Sequence, residues 1–128
     1  MQKTIKVLLI EDEDSIREIY KTELELFGFA IDDFATGLDG LNAFSNNYYD
    51  VVLLDIILPD INGLNVLKQM KQDSLKKEIP VLLRTSLHQD IIIRKGLKLG
   101  AIAYLQKDLI TPDKLVEKIK EILKTKLS

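Results

Sequence analysis

The chain has 128 residues, with 18 basic and 20 acidic side chains, a formal net charge of −2 and 46% hydrophobic residues, which suits one folded domain with a single core. The lack of cysteine excludes disulfides and thiolate metal sites, and a single histidine, His88, excludes a multi-histidine metal site. The small net charge, the short apolar runs and the N-terminal sequence predict a cytoplasmic protein with no direct contact to nucleic acid or membrane.

Short runs rich in β-branched residues or leucine alternate with stretches of helical length along the chain. The runs are residues 5–10, 30–34, 51–54, 81–83 and 101–105. The helical stretches begin near residue 15 and continue at about residues 38–46, 63–72, 89–99 and from 111 onward. This alternation predicts an α/β fold, a doubly wound (βα)5 three-layer sandwich around a parallel five-stranded sheet.

The first and last helices carry boundary signals. Residues 15–18 (Ser-Ile-Arg-Glu) match a capping box, and Gly28 stands where a left-handed residue ends a helix. Thr111 and Pro112 match the start of the last helix. Apolar stripes predicted to face the sheet are Ile16, Ile19, Tyr20, Leu24 and Phe27 in the first helix and Leu115, Val116, Ile119, Ile122 and Leu123 in the last.

Polar side chains follow four of the five predicted strands. The first strand ends in residues 11–14, all acidic, the third in Asp55, the fourth in residues 84–86 (Arg-Thr-Ser) and the fifth in residues 106–108 (Gln-Lys-Asp). Ligands of such sheets bind beyond these carboxyl ends. Clustered carboxylates need a cation, and oxygen donors favour Mg²⁺. With a lysine and a hydroxyl beside them, they predict a phosphoryl site in which a carboxylate can be the nucleophile.

Each of these groups taken singly has a structural explanation as well. The acidic run could complement the dipole of the following helix, and Asp55 could cap a turn. The combination at the ends of separate strands favours the phosphoryl site. An EF-hand does not fit residues 12–14, because the glycine and the distal glutamate are missing at the required offsets.

Four segments carry the pattern of a known family. They are residues 7–12 (Val-Leu-Leu-Ile-Glu-Asp), 50–64, 79–86 and 99–107. Within them, Asp12, Asp55, Thr85 and Lys107 are spaced by 43, 30 and 22 residues. In these features the chain resembles the receiver domain of two-component response regulators over about residues 5–124. The resemblance implies a flavodoxin-like sheet with strand order 2-1-3-4-5.

The resemblance also implies a chemistry for the matching residues. Asp55 is expected to accept a phosphoryl group from a sensor histidine kinase or a histidine phosphotransfer protein. Asp12, Asp55 and the backbone carbonyl of Ile57 match the Mg²⁺ ligands, and Glu11 is expected to act through water. Lys107 matches the lysine that contacts the phosphoryl group.

A further part of the resemblance concerns how the signal leaves the domain. Thr85 and Tyr104 match the pair that switches conformation, in which the hydroxyl moves to the phosphoryl group and the ring turns inward. The fourth helix, fifth strand and fifth helix form the expected face for a downstream protein or a second copy. Residues 91–93 (Ile-Ile-Ile) and Ile102 are predicted to leave an exposed apolar patch there.

The chain departs from the family pattern at several positions. Asp108 stands where proline usually follows the lysine, which leaves the geometry of the 107–108 peptide open. Ile102 and Ala103 replace a common acidic pair, and Ser86 stands in place of alanine. None of these departures removes a reacting group.

Two apolar residues are predicted to make the phosphorylated state long-lived. Ile57 and Leu87 hold the positions that flank the approach of water to the acyl phosphate, and neither can orient a water molecule. We therefore expect slow self-dephosphorylation.

Alternative functions remain to be weighed against a phosphorylated receiver. We expect residues 1–128 to be a single receiver domain that is no enzyme beyond catalysing its own phosphorylation and dephosphorylation, with no effector domain after its last helix. The alternatives are a degenerate receiver that only docks and the receiver part of a longer DNA-binding regulator. A haloacid-dehalogenase-type phosphatase is disfavoured, since residues 56–57 (Ile-Ile) follow Asp55 where a second aspartate would be required.

Overall fold

The structure, a computed structural model, describes residues 4–85, 90–106 and 111–127, with side chains described as far as residue 124. In these ranges the strands are β1 (Lys6–Ile10), β2 (Ala30–Phe34), β3 (Val51–Asp55), β4 (Val81–Thr85) and β5 (Ala103–Gln106). The helices are α1 (Asp14–Leu26), α2 (Gly37–Asn46), α3 (Gly63–Gln72), α4 (Asp90–Lys98) and α5 (Pro112–Leu127). None of these helices is long and apolar enough to cross a membrane.

The strands form one parallel sheet in the order β2-β1-β3-β4-β5. This confirms the predicted doubly wound α/β fold and the strand order implied by the resemblance. In the register, Val7 of β1 lies opposite Val51 of β3, and Val52 of β3 lies opposite Val81 of β4. β3 and β4 extend beyond the predicted runs to Asp55 and Thr85, so these two polar residues are the last of their strands.

The core consists of two layers on opposite faces of the sheet. On one face, α1 and α5 cover alternate side chains of the strands, including Val7, Leu9 and Leu53. On the other face, α2 and α3, with Ile92 of α4, cover the intervening side chains, including Leu8 and Leu54. The side chains of residues 7–10 and 51–54 have no exposed surface, as predicted for central parallel strands.

The start of α1 differs from the sequence prediction. The helix begins at Asp14, and the residue before it, Glu13, makes no side-chain capping hydrogen bond. The predicted capping box at residues 15–18 is therefore wrong, because Ser15 already lies inside the first turn. The end of the helix was predicted correctly, since Gly28 has a φ of 93° that disfavours any residue with a Cβ atom.

The predicted apolar stripe of the first helix is partly wrong, and that of the last helix is confirmed. In α1, Tyr20 and Leu24 are buried, but Ile19 and Phe27 are 55% and 47% exposed, so the predicted stripe was too wide. The buried side chains are four residues apart, and Ile16, one turn earlier, packs against the same core layer. In α5 the prediction is confirmed, since the buried residues are Leu115, Val116, Ile119, Ile122 and Leu123.

The predicted apolar exposure on α4 and β5 is also confirmed. Ile91 and Ile102 are 69% and 51% exposed. Ile93 is buried and Ile92 packs against the core. Ile91 is left exposed because one helix face cannot bury three consecutive residues.

A lysine from the loop after α3 binds carbonyl groups at the C-terminal end of α2. The Nζ atom of Lys76 donates hydrogen bonds to the carbonyl oxygens of Phe44, Ser45 and Asn47, the last two at 2.9 and 2.8 Å. It also lies 5.6 Å from the centre of the Phe44 ring. Carbonyl groups at a helix C-terminus lack intrahelical partners and attract positive charge. Lys76 therefore connects two helices that lie side by side against the sheet.

We expect Lys76→Met to lower the free energy of unfolding by about 2 kcal/mol, because it removes charge-assisted hydrogen bonds and leaves carbonyl groups without their donor. Urea denaturation followed by circular dichroism measures the change. Lys77→Met is the matched control, since the Lys77 side chain is exposed at the next position. Equal losses in the two variants would contradict this role of Lys76.

Candidate functional site

Buried polar side chains lie at one edge of the sheet. Among the described residues, the buried polar or charged side chains are Glu11, Asp55, Arg84 and Thr85. Glu11 directly follows β1, Asp55 ends β3, and the other two end β4. Polar groups are expensive to bury unless they are paired or serve a function. This edge of the sheet is therefore the candidate site.

Three carboxylates meet at this edge. One carboxylate oxygen from each of Glu11, Asp12 and Asp55 lies within 4.8 Å of the others. Glu11 and Asp55 are 0% and 2% exposed, and Asp12 is the most exposed of the three. Three oxygen donors at this spacing suit a hard divalent cation such as Mg²⁺, which binds through carboxylates and keeps part of its water shell.

Hydrogen bonds fix the buried carboxylates. The Oδ1 atom of Asp55 accepts a hydrogen bond from the backbone N–H of Ile57 at 3.2 Å. The Oε2 atom of Glu11 accepts one from the backbone N–H of Glu13 at 3.1 Å. Its Oε1 atom lies 3.3 Å from Nη1 of Arg84 and accepts a hydrogen bond from it. The acidic cluster thus has a guanidinium group as a direct neighbour.

A second arginine fastens the loop between β1 and α1. Nη1 of Arg17 donates to the backbone carbonyl of Glu11 at 2.8 Å, and its other nitrogens contact Asp14 at 2.7 Å and Asp33 at 3.2 Å. The hydrogen bond to Asp14 is the main reason that the pKa of Arg17 is raised; burial opposes it, and Asp33 adds to it. These contacts hold the acidic loop against the first turn of α1 and against β2.

Thr85 and Tyr104 lie on the other face of the sheet from Glu11 and Asp55. Side chains alternate along a strand, so Thr85 shares the face of Leu83, which belongs to the core layer under α2 and α3. Tyr104 lies opposite Leu83 in the register between β4 and β5, so it shares that face too. Thr85 is completely buried, whereas Tyr104 is 39% exposed.

Comparison with protein families identifies the chain. The family model for the response regulator receiver domain matches residues 7–120. The chain belongs to this family. It is a receiver domain of two-component systems, in agreement with the resemblance seen in the sequence.

Curated relatives of this receiver are transcriptional regulators. It is 34% identical over 119 residues to "Probable transcriptional regulator ycf27" of Guillardia theta, covering 93% of this chain and 45% of that one. It is 38% identical over 103 residues to "Transcriptional regulatory protein CusR" of Escherichia coli, covering 80% and 44%. The chain spans about half the length of the curated relatives it matches.

Solved receivers share the fold over nearly their whole length. A CheY-like receiver domain protein from Methanospirillum hungatei has a TM-score of 0.90 at 29% identity, with 96% of both chains covered. The chemotaxis response regulator CheY4 of Vibrio cholerae has a TM-score of 0.87 at 25% identity, covering 94% of this chain and 99% of that one.

The structure brings together part of the predicted receiver site. Glu11, Asp12 and Asp55 form one cluster, and Ile57, 52% exposed, lies beside it. Lys107 lies outside the described residues, as do Asp108, Ser86 and Leu87, so their expected roles stay predictions. The same holds for the geometry of the 107–108 peptide.

Arg84 is the residue of this receiver site to which the sequence analysis gave no role. It appeared only as one residue of the fourth strand end. A usable signal was present, since Arg84 is a charged residue that directly continues the apolar run of residues 81–83. A charge at the end of a central strand is buried and therefore needs a partner.

Proposed function

We propose that this receiver accepts a phosphoryl group on Asp55 from a phosphohistidine and changes its surface in response. The observation that carries the proposal is the burial of Glu11, Asp55 and Thr85 at the edge of the sheet where β1, β3 and β4 end. A fold stabilised by apolar packing has no need of these groups there. Their types and positions match the acceptor, the metal-binding acid and the switch hydroxyl of the family.

Asp55 is the proposed nucleophile. A carboxylate oxygen of Asp55 attacks the phosphorus atom, the bond between phosphorus and the imidazole nitrogen breaks, and the imidazole leaves with the electron pair of that bond. The hydrogen bond from the Ile57 N–H to Oδ1 orients the carboxylate. Lys107 and Thr85 are the groups proposed to bind the phosphoryl oxygens.

The donor set fits Mg²⁺. Asp12, Asp55 and the Ile57 carbonyl would hold the ion directly, with Glu11 acting through water; the three carboxylates have the charge and the close spacing that such an ion requires. Bound there, Mg²⁺ supplies positive charge to offset that of the transferred phosphoryl group.

Thr85 and Tyr104 are proposed to convert phosphorylation into a change of surface. Both belong to the same face of the sheet, on neighbouring strands. The partly exposed ring of Tyr104 can turn inward when the Thr85 hydroxyl moves to the phosphoryl group. Tyr104 lies on β5 and Ile102 directly precedes this strand, beside α4 with its exposed Ile91. This change would therefore alter the face proposed to bind a downstream protein or a second copy.

We propose residues 1–128 as a single receiver domain. The curated relatives are longer transcriptional regulators, so the receiver part of a longer regulator is the alternative to this proposal. Sensor histidine kinases or histidine phosphotransfer proteins are the proposed phosphoryl donors.

The experiment that tests the proposal is incubation of the protein with acetyl phosphate, followed by intact-mass analysis. We expect one added phosphoryl group in the presence of Mg²⁺ and none when EDTA removes the ion. An unlabelled protein under both conditions would favour a receiver that only docks.

We expect the phosphorylated receiver to decay slowly and Ile57→Asn to accelerate the decay about tenfold, because an amide beside Asp55 can orient the attacking water. Ile57 is half exposed next to the acceptor. The rate is measured from the loss of the phosphorylated mass after removal of acetyl phosphate.

Ile102→Asn is the matched control for this measurement. Ile102 is 51% exposed, close to the 52% of Ile57, but it lies next to β5. Fast decay of the wild type, left unchanged by Ile57→Asn, would refute the role of the apolar side chain.

A further inference from the structure

Arg84 is buried beside the acidic cluster. Its side chain is 1% exposed, and its Nη1 atom donates to the 0% exposed carboxylate of Glu11 at 3.3 Å. The guanidinium carbon also lies 4.0 Å from the centre of the Tyr20 ring and over it, a cation–π geometry. The buried charge thus contacts both a carboxylate and an aromatic ring.

The hydrogen bonding of this guanidinium is incomplete. Within the described part of the chain, the buried Nε and Nη2 atoms of Arg84 have no hydrogen-bond partner. Buried donors without partners are costly, and they are rare in native proteins. For the stability of the core alone, an apolar residue of similar volume often serves as well as a buried charge or better. The burial of this charge therefore indicates a role in the adjoining acidic cluster.

The charge of Arg84 acts on the same carboxylates that suit a divalent cation. The three carboxylates carry a formal charge of −3, which the guanidinium bonded to Glu11 offsets in part. Side chains alternate along each strand, and Leu9, Leu53 and Leu82 share one core layer. Glu11, Asp55 and Arg84 each lie two positions after one of these leucines, so they belong to the same face of the sheet. Asp55 and Arg84 are also direct neighbours in the register between β3 and β4.

We infer that Arg84 is a built-in cation that holds Glu11 in place when no metal is bound and that lowers the affinity of the site for Mg²⁺. It acts through Glu11 and through its field at the other two carboxylates, so it is a positioning residue. This inference rests on the proposed function and concerns the regulation of the same site. With Arg84 present, half-saturation of the site requires a higher Mg²⁺ concentration than the three carboxylates alone would require. Phosphorylation, which needs the metal, then depends on Mg²⁺ over the same higher range.

The test is the dissociation constant for MgCl₂, measured by isothermal titration calorimetry on the whole chain. We expect Arg84→Met, which keeps the length of the side chain without its charge, to bind Mg²⁺ more tightly by on the order of tenfold. Arg84→Lys keeps the charge and should bind as the wild type does. Leu82→Met, two residues earlier on the same face, controls for the change in core packing.

Thermal unfolding gives a second readout that does not depend on phosphorylation. Without the guanidinium the metal-free carboxylates repel each other, so MgCl₂ should raise the Tm of Arg84→Met more than that of the wild type. Arg84→Gln, which keeps an N–H donor for Glu11 but no charge, should behave in the same way. A variant that folds in MgCl₂ but not in EDTA also supports the inference.

The possible failures are distinguishable. A wild type that binds no Mg²⁺ contradicts the proposed function and this inference together. A wild type that binds Mg²⁺, with equal or weaker binding in Arg84→Met and Arg84→Gln, contradicts this inference alone. Uncharged variants that remain unfolded even in MgCl₂ overturn it as well, since Arg84 would then serve only the core.

Discussion

Asp55→Ala should abolish labelling by acetyl phosphate, with no phosphorylated mass detected under conditions in which the wild type is labelled. The physical reason is that the nucleophilic oxygen is lost, and other carboxylates of the cluster lack its position at the end of the central strand. Asp55 is 2% exposed and is oriented by the Ile57 N–H at 3.2 Å. Intact-mass spectrometry in acetyl phosphate and MgCl₂ measures the result.

Glu13→Ala is the matched control for Asp55→Ala, since it also removes a carboxylate. Glu13 belongs to the same acidic run, but its side chain is exposed, and only its backbone N–H contacts Glu11. It should be labelled as the wild type is. Asp55→Ala should remain folded by circular dichroism, because removing one of three clustered carboxylates relieves repulsion. Undiminished labelling of Asp55→Ala would disprove its assignment as the acceptor.

The strands and helices could be predicted from the sequence because each depends on a pattern within a short segment. Each run of three to six residues rich in β-branched residues or leucine predicted a strand, and the alternation of these runs with helical stretches indicated a parallel sheet. The errors came from features that depend on neighbouring elements. Whether Ile19 of α1 is covered depends on how the helix lies against the sheet, which its own periodicity does not specify. Glu13 precedes α1 without any side-chain cap, so capping chemistry could not locate that boundary.

The candidate site was accessible in part for a similar reason. Carboxyl ends of parallel strands share an edge, so the sequence alone predicted that Glu11 and Asp55 would meet. The pairing of Arg84 with Glu11 joins residues that are 73 positions apart. It depends on the register of β4 and on the side of the sheet to which each residue points. The charge of Arg84 at the end of an apolar run indicated that it needs a partner, but composition and spacing do not show which residue that partner is.

Gly63→Ala should lower the free energy of unfolding by about 3 kcal/mol, because α3 begins in direct contact with the end of β3. A Cβ atom on Gly63 would lie 2.2 Å from the carbonyl oxygen of Asp55 and 2.6 Å from the Cα atom of Ile56. The Gly63 N–H also donates to the carbonyl of Ile56 at 2.7 Å. These neighbours are backbone atoms that cannot rotate away, so the helix or the strand end must shift. Urea denaturation measures the loss.

The shift should also reach the chemistry, since the atoms that block the new methyl group belong to Asp55 itself and to the residue after it. We expect the initial rate of labelling by acetyl phosphate to fall about tenfold or more, as misplaced reacting groups do. Gly96→Ala is the matched control. There the clash at 2.3 Å is with the Cδ1 atom of Leu83, the end of a side chain that can rotate, and alanine favours the helix by about 1 kcal/mol. If Gly63→Ala loses no more stability than Gly96→Ala and is labelled at the wild-type rate, the close contact between α3 and the end of β3 does not position Asp55.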